Sequence, residues 1–115
     1  MRWKRSWPRL KDKFLSNLGL ARRAGKLLRG RDEVFAALEN GKGFGLYAAS
    51  DLSPRTVRLV EEQGKTLGLD PIRVNYTMFE LGNACGSKPF GIFSVADKNF
   101  RKMLDTALEN KEAVQ

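Results

Sequence analysis

A chain of 115 residues with a formal net charge of +8 is sized for one domain with its own hydrophobic core. It holds no histidine and a single cysteine, Cys85, which excludes an internal disulfide and, for want of ligands and bases, a structural zinc site or a Cys/His nucleophile pair. Charge is unevenly placed: residues 1–31 hold 11 Lys and Arg against one acid, Asp12, while residues 32–115 hold 10 against 12 acids, so the whole excess lies near the start and suggests a polyanionic partner.

Residues 1–9, MRWKRSWPR, interleave cations with Trp3 and Trp7 ahead of any periodic pattern and are expected to form a basic arm, with residues 10–115 as the folded domain. From Leu10, apolar positions Leu10, Phe14, Leu18 and Ala21, joined by Leu15, recur at helical spacing, with Arg22 and Arg23 in the last turn and Gly25 as the C-terminal cap. Leu27 and Leu28 fit a short first strand. Arg31 to Asn40 predicts a second helix with Val34, Phe35 and Leu38 inward, closed by Gly41, and the acids Asp32 and Glu33 in its first turn suit the helix dipole. FGLYAAS, residues 44–50, is a mostly apolar run without clean alternation, as expected of a strand covered on both faces.

Ser53 followed by Pro54 marks a helix start, with Val57, Val60 and Leu67 on one face up to Gly68. Ile72 to Asn75 is a third strand. Thr77 and Glu80 have the spacing of a capping box for a helix that stops at Gly86. Residues 91–97, GIFSVAD, are a fourth strand, and Asp97 caps a last helix with Phe100, Met103, Leu104 and Leu108 on its apolar face. Helices alternating with strands predict a single-domain α/β fold, a three-layer α/β/α sandwich around a four-stranded central mixed sheet. No apolar run reaches membrane-spanning length and the basic start leads into no signal-peptide core, so a cytoplasmic protein is expected.

The segments AGKLLRG at residues 24–30, Asp32-Glu33-Val34, Asn40-Gly41, YAASDLSP at residues 47–54 and ELGNACG at residues 80–86 resemble the kink-turn-binding ribosomal protein superfamily, that of archaeal ribosomal protein L-seven-Ae and eukaryotic L-thirty-e, with small bacterial YlxQ-like members. The likeness runs from about residue 14 to residue 104. It implies an RNA-binding α/β/α sandwich without catalysis or cofactor, one that grips a sharply bent RNA internal loop with tandem sheared G·A pairs, in a ribosome or another ribonucleoprotein. In that family a glycine turn starts a helix at the RNA and a following Asn-Glu pair reads guanine edges. The acid matches Glu33, whereas Asp32 stands at the amide's position and Ala36 where a lysine is frequent. An amide both donates and accepts, while an ionised carboxylate only accepts, and Asp32 also repels phosphate.

The expected RNA-binding set is Gly25, Lys26, Arg29, Gly30, Arg31, Asp32 and Glu33, with Ser87, Lys88 and Pro89 of the loop that aligns with the family's second contact loop. Lys26, Arg29 and Arg31 are assigned to phosphates and Glu33 to a base edge, since phosphate contacts position a protein and base contacts specify sequence. The first amides of the Arg31 helix add neutral donors, and Gly30 allows close approach of the backbone. Lys88 is placed to meet phosphate and Pro89 or Phe90 to support an unstacked base, with a core position as the other reading of Phe90. Cys85 is expected to be a small buried hydrophobe. Trp3 and Trp7 either stack on bases or leave the RNA alone.

Two other function classes compete. A nucleotide-handling enzyme would need a glycine-rich phosphate loop or a dinucleotide fingerprint, and neither is present: the glycines of LENGKGFG, residues 38–45, follow a helix and precede a strand. A chain without histidine is also poorly equipped for acid–base work at neutral pH. The other competitor is a protein-interaction module of the same fold that has lost specific kink-turn binding, for which Asp32 and Ala36 are the motive. A monomer is expected.

Overall fold

The structure, a computed structural model, describes residues 12–114, with the backbone alone described beyond residue 109. The basic arm, Trp3 and Trp7, and the first predicted helical position, Leu10, lie outside the described residues.

Helix α1 (Lys13–Arg23) starts later than its apolar spacing predicts because Asp12 caps it, its carboxylate accepting from the Leu15 amide at 3.0 Å. Its C-terminus closes as a Schellman turn, with Gly25 N–H on the Arg22 carbonyl and Lys26 N–H on that of Ala21. The chain then forms β1 (Leu27–Arg29), α2 (Arg31–Glu39), β2 (Phe44–Ala48), α3 (Pro54–Leu67), β3 (Ile72–Arg73), α4 (Met78–Cys85), β4 (Ile92–Val95) and α5 (Lys98–Val114). Ser53 caps α3 with Pro54 in its first turn, and α4 carries the complete capping box of Thr77 and Glu80. Asp97 accepts from the Asn99 amide at 2.7 Å at the start of α5.

The strands lie in the order β1-β4-β2-β3. β4 is antiparallel to both β1 and β2, and β3 runs parallel to β2, so the sheet is mixed as expected. Strand β3 is shorter than the predicted Ile72–Asn75. Val74 still donates to the Ala48 carbonyl, but the chain then drops Val74 and Tyr76 into the core, and the ladder ends.

Side-chain alternation along β2 divides the interior in two. Tyr47 and Ala49 join Phe14, Leu18, Leu81, Phe93 and Leu104 beneath α1, α4 and α5. Leu46 and Ala48 join Val34, Phe35, Val60 and Ile92 beneath α2 and α3. The three layers are therefore α1, α4 and α5, then the sheet, then α2 and α3. Met103, expected on the apolar face of α5, is instead exposed, because the helix turns Leu104 and Ala107 toward α1 and the sheet. Among the described residues no helix is long and apolar enough to cross a membrane.

Candidate functional site

Strands β1 and β2 both run antiparallel to β4, and β3 runs with β2, so their C-terminal ends share one end of the sheet with the start of β4. Gly30 stands there. Its φ of 90° and ψ of 152° lie in a region that side-chain-bearing residues rarely adopt, and its N–H donates to the Ile92 carbonyl at 2.9 Å. A Cβ at Gly30 would meet nothing within 4 Å, so backbone conformation, not crowding within the protein, requires the glycine.

The Gly30 carbonyl receives the Val34 amide, which starts α2. No side chain caps this helix, in contrast to Asp12, Ser53 and Thr77 on α1, α3 and α4. Arg31, Asp32 and Glu33 are all exposed around its open start. Their charges are not neutralised by contact, since the ion pair found among the described residues joins Arg101 to Asp105. The end of α2 thus offers amide donors and two carboxylates to solvent, flanked by arginine.

The second predicted loop, residues 86–91, is held against the same end. Gly82 of α4 lies under it: a Cβ there would sit 2.6 Å from the Lys88 carbonyl oxygen and 2.8 Å from Pro89 Cα. Ser87 closes the end of α4 through its amide on the Gly82 carbonyl, and its hydroxyl donates to the Lys88 carbonyl at 3.0 Å. Lys88 and Pro89 project into solvent. Of the two readings of Phe90 the structure takes the core position: the ring is buried, packs edge-on against Phe93 at 5.6 Å, and lies 5.9 Å from the Arg29 guanidinium. Arg29 is therefore tied to the loop by a cation–π contact as well as being half-exposed.

Gly25 and Lys26 are not part of this cluster. The Lys26 carbonyl accepts from Ala96, at the far end of β1, and the three residues of that strand separate Lys26 from Gly30 by roughly 13 Å, four steps of extended chain. Counting charge by segment also passes over Arg55, Arg58 and Arg73, three exposed cations remote in sequence from the basic start. The loop from β2 to α3 and the end of β3 bring them to the same end of the sheet as Gly30. Among the described residues no group of acids and cysteine is arranged to hold a metal ion. Cys85 is buried, its thiol pushed up by burial, and its sulfur lies 3.9 Å from the Leu18 carbonyl oxygen.

No family model matches the chain. Individual proteins do. It is 28% identical over 99 residues to the RNA-binding protein YlxQ of Enterococcus faecium, covering 86% of this chain and 94% of that protein. It is 32% identical over 78 residues to the large ribosomal subunit protein eL8 of Halobacterium salinarum, across 67% of this chain and 64% of that one. The 15.5kD RNA binding protein of Giardia lamblia has the same fold, with a TM-score of 0.68 at 18% identity over 90% of this chain and 88% of that one. In sequence and in fold the chain is similar to the L-seven-Ae superfamily. Another structure of this fold is a protein of unknown function from Bacillus halodurans C, with a TM-score of 0.77, 28% identity, and coverage of 86% of this chain and 99% of that one. The chain's relatives are named as RNA-binding and ribosomal proteins and not as enzymes.

Proposed function

We propose that this chain is a non-catalytic RNA-binding protein, associated with the ribosome or another ribonucleoprotein, that recognises a structured, kink-turn-like RNA. The observation that carries the reading is the uncapped, acid-bearing start of α2, set on the Gly30 turn beside the Lys88–Pro89 loop. The names of the relatives support it at the coarser level of RNA binding.

Each part has a separate task. Arg31, with Lys88 across the gap, meets phosphates, and Arg29 does so while steadying Phe90 beneath the loop. Glu33 accepts from the N1–H and N2–H of a guanine, two donors side by side that suit one carboxylate. The open amides of α2 take a phosphate or base oxygen. Pro89 supports an unstacked base. Gly25 and Lys26 act on a different stretch of backbone, along β1, if they contact the same RNA.

The test is binding to a kink-turn RNA with its G·A pairs intact and with them disrupted. The expected result is a clear preference for the intact RNA that Glu33→Ala removes. Equal affinity for the two would sink the kink-turn reading. The second reading, a protein-interaction module, draws on the exposed Asp32 carboxylate, which repels phosphate at the centre of the site. It requires weak RNA binding with a shallow salt dependence, whereas phosphate contacts give a slope of about −0.7 to −0.9 in log affinity against log salt for each one made.

A further inference from the structure

Helices α2 and α3 pack side by side over one shared core, and each follows a strand that runs toward the Gly30 end of the sheet. Their first turns therefore lie in the same layer at the same end of the sheet. The two starts are opposite in charge. α2 begins with Arg31 followed by two acids, Asp32 and Glu33, whereas α3 carries Arg55 and no acid in its first turn, with Arg58 just after it.

A cation in the first turn of a helix opposes its dipole, so the dipole of α3 does not favour Arg55 there. Arg55 and Arg58, three residues apart, share an exposed face, and neither makes an ion pair among the described residues. Arg73, at the end of β3, adds a third exposed guanidinium, donating to the Ser50 carbonyl at 3.0 Å across the loop that leads into α3. Between Arg58 and Arg73 runs an open groove of about 310 Å³ lined by these two and by Leu52, Pro54, Val57 and Glu61, with Arg55 one turn before Arg58 on α3. One lining residue connects the groove to the second loop: Leu52 lies against Gly91, and the neighbouring Asp51 accepts from the Met78 amide at 2.9 Å.

We propose that Arg55, Arg58 and Arg73 form a second contact with the RNA backbone, holding phosphates of the strand that flanks the segment read by α2. The inference rests on the RNA-binding reading and extends its footprint. Guanidinium groups suit phosphate because their forked donors match two of its oxygens at once. Glu61, on the next turn of α3, marks where the anionic path leaves the groove. The composite surface then separates its work between neighbouring helices, with carboxylates on α2 facing base edges and arginines on α3 facing phosphates.

The experiment measures affinity of the full chain for two hairpin RNAs, one with an intact kink-turn and one with its G·A pairs disrupted, between 50 and 200 mM salt. Replacing Arg55, Arg58 and Arg73 together by alanine is expected to weaken both RNAs by the same factor and leave the preference between them unchanged. It should flatten the salt slope by about 2 to 2.7, shrinking the loss of affinity across that salt range by about 20- to 40-fold. The corresponding triple lysine variant should keep the slope, and Lys65→Ala, at the opposite end of α3, should change nothing. Glu61→Gln should tighten binding of both RNAs.

An unchanged affinity and slope in the alanine variant overturns the second contact while the first site stands on the Glu33→Ala result, and that outcome would point to a protein partner for the arginines. Equal binding of the two RNAs by the wild type, with the slope flattened as expected, overturns kink-turn specificity and retains the second contact. Failure of the wild type to bind either RNA removes both.

Discussion

Gly30 and Glu33 show how little separates a structural glycine from a functional one. The positive φ of Gly30 sets the direction in which α2 leaves the sheet, and the space beside it is open. Removing the exposed Glu33 side chain costs no packing, so Glu33→Ala should lower stability by no more than about 1 kcal/mol, the helix-dipole contribution of a first-turn acid, and weaken binding of the intact kink-turn RNA tenfold or more, in keeping with about 1–3 kcal/mol for a base contact. Asp32→Asn should act in the other direction, because the amide regains a donor and no longer repels phosphate. Titration of both variants against the same RNA checks the pair. The placement of both residues was legible in the sequence because a glycine followed by two acids at a helix start is a local pattern. The position of Phe90 was not, since it is set by Arg29 of β1 and by the way the loop folds its ring back onto Phe93.

Among the elements, α4 positions the second loop through a backbone contact. Gly82 touches the Lys88 carbonyl and Pro89 so closely that a methyl group must push backbone aside. Gly82→Ala is expected to cost about 1–3 kcal/mol of stability by overpacking and to weaken RNA binding through displacement of Lys88 and Pro89. Gly86→Ala offers the comparison: the position has φ 63° and open space, so it strains the end of α4 without pushing the loop from below. Denaturant unfolding and RNA titration of the two variants separate crowding from strain. The helix starts on Ser53 and Thr77 were visible as local capping patterns, and so was the stop at Gly86. The true start of α1 was missed by two to three residues because apolar spacing continues backward past Asp12, while the capping hydrogen bond to Leu15 decides where the helix begins.

The whole molecule is stitched together by two tyrosines that reach from the sheet layer to helices far away in sequence. Tyr47 O–H donates to Asp105 at 2.8 Å, and Tyr76 O–H donates to Asp12 at the start of α1. Burial, reinforced by the neighbouring carboxylates, pushes both hydroxyls well above a tyrosine's ordinary value near 10.0. The unfolded chain therefore releases these protons before the folded one. Their stabilisation is fully present below about pH 10 and is lost as pH rises further, by up to about 1.4 kcal/mol per pH unit for each tyrosine. Denaturant unfolding between pH 9 and 11.5 should show that decline, and Tyr47→Phe combined with Tyr76→Phe should flatten it. Cys85 gives a second global check: its buried thiol should resist alkylation in the folded protein and react once the chain is unfolded.

By itself the sequence determined the class of fold, the order of its elements, most helix caps and the acid-bearing turn at Gly30. All of these follow from patterns within a few residues of one another, where propensity, capping and periodicity act. Tertiary structure decided which of those pieces meet. It sent Gly25 and Lys26 to the far end of β1, took Phe90 into the core, ended β3 early where Tyr76 reaches Asp12, and brought Arg58 at the start of α3 together with Arg73 of β3. Strand order and direction carry that information, because they set which chain ends share an edge of the sheet, and no local pattern of residues encodes it.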